Sequence, residues 1–208
     1  RFTKKRSNSM INISNISNQL PYLKFEKLFK EALAAQQPNI EAICISSFDK
    51  KNNESNSRFV NLKYIIDDEW IFFSNYQGPK AREFEYCPNI SAVFFWHQIN
   101  TQIRVKAKIY KSPIEFSDSH FKKRDKGKNI LAISSKQSKE IDSYEDFLDA
   151  YKLASKEISD TQERPNYWGG YSFRPYYFEF WEGHSQRINK REAYILKEDS
   201  WKNIFLQP

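Results

Sequence analysis

Apolar positions along the chain change period several times, and each change marks an element. From Pro21 onward, Phe25, Leu28, Phe29, Ala32 and Leu33 recur at the i, i+3, i+4, i+7, i+8 spacing of an amphipathic helix, which ends before Pro38. Residues 41–48 form an apolar run rich in Ile and Ser that predicts a strand, and 50–56 read as a polar loop. Residues 58–66 alternate, with Val60, Leu62, Tyr64 and Ile66 on one side and Phe59, Asn61, Lys63 and Ile65 on the other. A strand over 69–74 follows, then a short helix opened by Pro79 and closed before Pro88. Residues 90–96 are a dense apolar strand. Residues 101–110 alternate strictly, with Ile103, Val105, Ala107 and Ile109 inward and Gln102, Arg104, Lys106 and Lys108 outward. Helices are predicted over 113–124 and 143–158, the second with Ser143 as N-cap and Phe147, Leu148, Tyr151, Ala154 and Ile158 on one face. Strands return over 170–181, 192–196 and 201–205, the last two joined by a turn at 197–200.

Strands joined by short turns, with helices inserted at a few points, predict a mainly β protein: an antiparallel barrel or sandwich with packed α-helices. Residues 7–19 are rich in Ser and Asn and carry no helical stripe. Residues 1–20 are therefore read as a disordered basic leader, and 21–208 as one domain. The chain opens at Arg1, read as a processed, truncated or tag-derived start, and no function is built on its first residues.

Composition changes this picture little. With 39% hydrophobic and 16% aromatic residues, 208 residues can bury a sizeable core, which excludes wholesale disorder. No apolar run approaches a membrane span, and no export signal opens the chain, so the reading is soluble and cytoplasmic, with no membrane partner. Cys44 and Cys87 are too few for a disulfide framework, and Cys44, inside an apolar run, is expected to be a buried, inert thiol. The net charge of +7 raises the question of nucleic acid, but its location answers it. Residues 1–30 hold seven cations against Glu26 alone, which leaves the rest of the chain nearly neutral. A basic end is not a duplex-binding face, and no nucleic-acid partner is expected.

Candidate chemistry begins with what is missing. His97, His120 and His184 stand far apart and at no metal-ligand spacing, so no metal site is expected. The five glycines cannot write a dinucleotide-binding fingerprint or a phosphate-binding P-loop. A phosphate must then be held by side chains on strands and loops. Cations, amides and hydroxyls gather in the segments 57–63, 73–80, 101–105 and 135–138, and Gly78-Pro79-Lys80 opens a helix whose N-terminal amides favour an anion. Arg58 and Lys63, five apart, are expected on opposite faces of their strand, serving two anions only near a barrel rim or subunit boundary.

Four ordered motifs carry a resemblance. They are Asn166-Tyr167-Trp168-Gly169-Gly170-Tyr171 with Phe178-Glu179-Phe180-Trp181, Ser135-Lys136-Gln137-Ser138, Phe94-Phe95-Trp96, and the ending Trp201-Lys202 to Leu206-Gln207-Pro208. Together, over 23–208, the chain resembles the pyridoxine/pyridoxamine 5′-phosphate oxidases of the FMN-binding split barrel. The resemblance implies a six-stranded antiparallel Greek-key split barrel and a homodimer with FMN at the interface. It implies that Arg58, Ser74 and Lys80, helped by Gly78, hold the flavin phosphate and that Lys63 lies near the ring and the substrate phosphate. Gln102, Gln137 and Ser138 would bind the ring and ribityl chain, with Trp181 and Arg191 reaching in from the partner chain.

The substrate implied is a small phosphorylated pyridine, gripped by Lys63, His120, Arg124 and Lys128, with Arg187 and Asn189 over its ring. Its C4′ carbon would give a hydride to the flavin, and oxygen would reoxidise the flavin, yielding pyridoxal 5′-phosphate. The chain departs from the family pattern at several of these positions. Gly78-Pro79-Lys80 stands for the usual Ser-Arg-Lys, and one lost charged hydrogen bond costs about 1.5–3 kcal/mol. His120 and Lys128 replace Tyr and Ser, and Asn189 replaces the His of an Arg-x-His pair, leaving a side chain that takes up no proton at neutral pH. These changes fit either an active oxidase of the two vitamers, or a flavoenzyme with another substrate, as in phenazine-pathway oxidases. A non-catalytic FMN-binding protein is the third reading.

Overall fold

The structure is a computed structural model that describes residues 10–158 and 163–208. Its strands are β1 (Asn12–Ser14), β2 (Ala42–Asp49), β3 (Glu54–Ile66), β4 (Glu69–Asn75), β5 (Asn89–Trp96), β6 (Thr101–Lys111), β7 (Trp168–Glu182), β8 (Lys190–Lys197) and β9 (Ser200–Leu206). Its α-helices are α1 (Leu20–Ala34), α2 (Pro79–Tyr86), α3 (Ile114–Lys123), α4 (Lys126–Ser134) and α5 (Tyr144–Glu157). Six strands close a circuit in the order β2-β3-β4-β7-β6-β5, every pair antiparallel, with β5 returning to β2. The expected six-stranded antiparallel barrel is therefore present. Along β7, residues 168–173 pair with β4 and 177–182 pair with β8, so one long strand leaves the barrel wall and founds the β8–β9 extension.

Alternation fills the interior. Ile43 and Ile45, Ala92, Phe94 and Trp96, and Ile103, Val105 and Ala107 are all buried at every second position. The apolar stripe of α1 packs over this core: the Phe25 ring lies 4.6–5.8 Å from those of Trp70, Phe94 and Trp96. Burying one such side chain is worth about 1.5–3 kcal/mol, which seats the helix without a side-chain cap at its start. Gly169 and Gly170 on β7 admit close neighbours, since a Cβ on Gly169 would stand 2.3 Å from the Tyr76 hydroxyl and one on Gly170 2.6 Å from Ser112 Oγ. Ser143 caps α5 as predicted, accepting from the Asp146 N–H at 3.1 Å.

Four expectations are corrected. The leader is not featureless from Met10: Ile11 is buried, Ile13 and Ile16 pack against the core, and β1 pairs parallel with the end of β3. Residues 1–9 lie outside the described residues. Helix α4 goes beyond the prediction; its polar first turn reads as loop, and Asp125 caps it by accepting from the Lys128 N–H at 3.2 Å. Cys44 is a half-buried free thiol, because Ile43 and Ile45 take the inward parity and turn it outward. Finally, β3 does not alternate throughout. Its register against β4 shifts between Leu62 and Tyr64, making Lys63 the extra residue of a bulge, so Leu62 and Ile65 are both fully buried.

Candidate functional site

A cavity of about 630 Å³ opens at the barrel wall between β3, β4, α2 and the α3–α4 segment. Arg58 and Lys63 both line it, and so do Phe59, Val60 and Asn61 between them, so this stretch of β3 borders the space with both of its faces. Ser74, Lys80, His120, Arg124, Lys128, Gln137 and Ser138 line it too, so nine of the sequence-predicted residues converge from 80 positions of chain. Five are cations, and one carboxylate, Glu83, accompanies them.

Two groups of cations share the cavity. At one end, Lys80 Nζ donates to Gln137 Oε1 at 2.8 Å and to Ser74 Oγ at 3.1 Å. Arg58 bonds Glu83 at 2.9 Å and also the Ser47 hydroxyl. Pro79 begins α2 with Gly78 as N-cap, and no side chain caps that helix, so its first-turn amides face this end. A Cβ on Gly78 would press to 3.3 Å from Gln137 Oε1, so the glycine keeps the cradle open. Burial, then the nearby Arg58, hold the Lys80 ammonium below its ordinary range, with Glu83 opposing. The donor set, two cations with a hydroxyl, an amide and a helix N-terminus, has the chemistry of a phosphate dianion site.

The other group is carried by β3, α3 and α4. Arg124 lies over Trp168, its guanidinium carbon 4.7 Å from the ring centroid, and donates to the Lys128 carbonyl at 2.7 Å and to Asn129 Oδ1 at 3.2 Å. Burial pulls its pKa to about 10, so it stays charged at neutral pH. Lys63 is lowered by burial, then by Lys128 and Arg124, against the pull of Glu41. His120 is pushed down to about 4, by burial first and then by Arg124, Lys63 and Lys123, so it is neutral. Burial is the first cause of all three shifts, and neighbouring cations add to it at Lys63 and His120.

The remaining predicted residues lie elsewhere. Gln102, Trp181 and Arg191 are register partners across β6, β7 and β8, with Phe95 of β5 continuing the row. This row stands on the outer sheet face, because the inward parity of β6 belongs to Ile103 and Val105. Gln102 is not among the residues that line the cavity; it borders a separate depression of about 250 Å³ with Arg104 and Tyr177. Arg191 is fixed by the buried Glu179, at 2.9 Å from Nε and 2.8 Å from Nη2, and by the Gln207 carbonyl at 2.8 Å. Arg187 and Asn189 sit on the β7–β8 loop, away from this chain's own cavity. Arg187 has φ 62°, and Asn189 Oδ1 accepts from the His184 N–H at 2.9 Å.

Sequence reasoning missed Glu83 and Asn56 on the cavity and Tyr64 behind it. Only Glu83 carried a signal, lying one turn after Lys80 on the same helix face. Among the described residues, no His, Cys, Asp or Glu cluster could hold a metal, and no helix is long and apolar enough to cross a membrane.

Comparisons with known proteins agree with this architecture. Residues 168–208 match the family described as the pyridoxine 5′-phosphate oxidase C-terminal dimerisation region. The pyridoxine/pyridoxamine 5′-phosphate oxidase of Burkholderia thailandensis is 34% identical over 194 residues, covering 92% of this chain and 90% of that protein. That of Haemophilus influenzae is 35% identical over 188 residues, covering 90% and 89%. In fold, the chain is similar to PhzG of Burkholderia lata, solved with tetrahydrophenazine-1-carboxylic acid, with a TM-score of 0.83 at 20% identity over 94% of this chain and all of that one. It is also similar to an FMN-binding protein of Nostoc punctiforme related to pyridoxamine 5′-phosphate oxidase, with a TM-score of 0.71 at 12% identity over 88% and 97%. With relatives of this identity matched over nine-tenths of its length, the chain belongs to the pyridoxine/pyridoxamine 5′-phosphate oxidase family of oxidoreductases.

Proposed function

We propose that the protein is an FMN-dependent oxidase that converts pyridoxamine or pyridoxine 5′-phosphate to pyridoxal 5′-phosphate, working as a homodimer with FMN at the interface. The observation that carries this reading is the pair of cation groups in one cavity: a flavin and a substrate that each bear a phosphate need two such grips within one space. Arg58, Lys80, Ser74 and the first turn of α2 would hold the FMN phosphate, and the open cradle at Gly78 suits its bulk. Gln137 and Ser138 would face the ribityl chain and ring. When bound, FMN supplies two-electron redox chemistry that links oxidation of the substrate carbon to reduction of oxygen.

The residues then orient and neutralise. Lys63, Arg124 and Lys128 would take the substrate phosphate, with the neutral His120 as a further hydrogen-bond donor. Phe73 and Trp168 give the cavity its apolar walls and keep water from the reacting groups. The outer-face row of Gln102, Trp181 and Arg191 cannot turn into its own chain's cavity, and a second copy is the source from which those side chains would complete it. The β7–β8 loop of that copy would bring Arg187 over the reacting carbon.

The test is a single preparation measured twice: flavin content by absorbance, and oxygen uptake with each 5′-phosphate vitamer while pyridoxal 5′-phosphate is quantified. Stoichiometric FMN and turnover of at least one vitamer are expected; an apo-protein that refuses excess FMN overturns the reading. A second reading keeps FMN and exchanges the substrate, favoured by His120, Lys128 and an Asn189 side chain already spent on its own loop. FMN-loaded protein inert to both vitamers would select it.

A further inference from the structure

Tyr64 lies behind the cavity wall rather than on it, yet it governs a residue that does line the cavity. The His120 ring is stacked flat on Phe73, with centroids 3.7 Å apart and planes 9° from parallel. Its Nδ1 is 2.9 Å from the Tyr64 hydroxyl, and the two rings meet edge to face. Tyr64 is itself wedged against Phe116 and Phe73, so its hydroxyl has little freedom to move away. The stack sets the plane of the imidazole and the hydroxyl sets its rotation. Flipping the ring would put a carbon against Tyr64. Nδ1 therefore faces away from the cavity, and the Nε2 edge is left towards it.

A neutral imidazole has one N–H to place, and the alternatives have opposite meaning for a ligand. With the proton on Nδ1, a lone pair on Nε2 would meet the substrate; it would suit the cationic neighbours Arg124 and Lys63 and repel a phosphate oxygen. With the proton on Nε2, the same edge donates to that oxygen. An imidazole nitrogen accepts a hydrogen bond better than a phenol oxygen, so the Tyr64 hydroxyl is the donor to Nδ1.

We propose that Tyr64 is a positioning residue that holds His120 as its Nε2–H tautomer, making it a phosphate donor on the wall shared with Arg124 and Lys63. The ligand half of this rests on the substrate-phosphate reading above; the tautomer half does not.

The test uses full-length protein, with Tyr64→Phe, His120→Phe and the double variant. Nitrogen-15 spectra of the histidine rings at neutral pH should show His120 unprotonated at Nδ1 and protonated at Nε2, with Tyr64→Phe shifting the population towards Nδ1–H. Inorganic phosphate, titrated as the probe, should bind about 3–10-fold more weakly to Tyr64→Phe, the range for one hydrogen bond. FMN affinity should be unchanged and, for pyridoxamine 5′-phosphate, KM should rise while kcat holds. The double variant should bind phosphate no more weakly than His120→Phe, since Tyr64 acts through that ring. His120→Phe keeps the stack on Phe73, so it separates the lost N–H from lost packing. An Nδ1–H tautomer in the parent protein, or fully additive losses, overturns the proposal. The expected spectra and phosphate affinities in a protein inert to both vitamers would support it and overturn the substrate reading alone.

Discussion

Arg58→Ala is the sharpest test of the flavin end of the cavity, because Arg58 has two separable jobs there. It faces the proposed phosphate, and it neutralises Glu83, which is 4% exposed and also accepts from Ser47 and Asn56. Losing a hydrogen bond to a charged group costs about 1.5–3 kcal/mol, so the FMN Kd should rise about 10- to 100-fold from that contact alone. The uncovered Glu83 carboxylate adds repulsion towards a dianion. Breaking a buried pair also destabilises the fold by up to about 3–5 kcal/mol, here reduced because Arg58 keeps some contact with solvent and two neutral donors remain on Glu83. Adding Glu83→Gln to Arg58→Ala should therefore recover most of the stability and only part of the affinity. Fluorescence titration of apo-protein with FMN measures the first quantity and urea unfolding the second. Wild-type FMN affinity in the single variant, or full recovery of affinity in the double, would refute the assignment of Arg58 to the phosphate.

Three further outcomes are expected. Arg187→Gly, which removes the side chain without straining a residue at φ 62°, should cut kcat by at least 100-fold while FMN affinity changes less than threefold, read by steady-state kinetics beside a flavin titration. The pKa of His120 is held near 4 in the fold against about 6.5 in the unfolded chain, so its neutral form stabilises above pH 6.5 and that contribution is lost as pH falls towards 4. His120→Phe should flatten this part of the Tm–pH profile. Phe95 is 57% exposed on the outer-face row, and Phe95→Glu should yield a monomer by sedimentation that releases FMN on gel filtration; an intact dimer would move the interface elsewhere.

The chain's local patterns determined most of its elements. Strict alternation in β6 leaves one choice of inward face, and the aromatic stripe of α1 leaves one face to bury, so both were legible from periodicity. Pro79 and Ser143 marked helix starts through backbone constraint and capping, which are properties of a few neighbouring residues. The motifs also named nine residues that do share a cavity. What the sequence did not contain was anything that depends on a partner strand. The bulge at Lys63 arises from the mismatch between β3 and β4, and only that register buries both Leu62 and Ile65. The separation of Gln102 from Gln137 is likewise tertiary, since one stands on the outer face of β6 and the other follows α4 and meets Lys80. Tyr64 carried no signal at all, because its role comes from the 2.9 Å contact with a ring 56 positions away. Periodicity encodes which face of an element is buried; closure of the barrel decides which faces meet, and the chemistry of this site lies in those meetings.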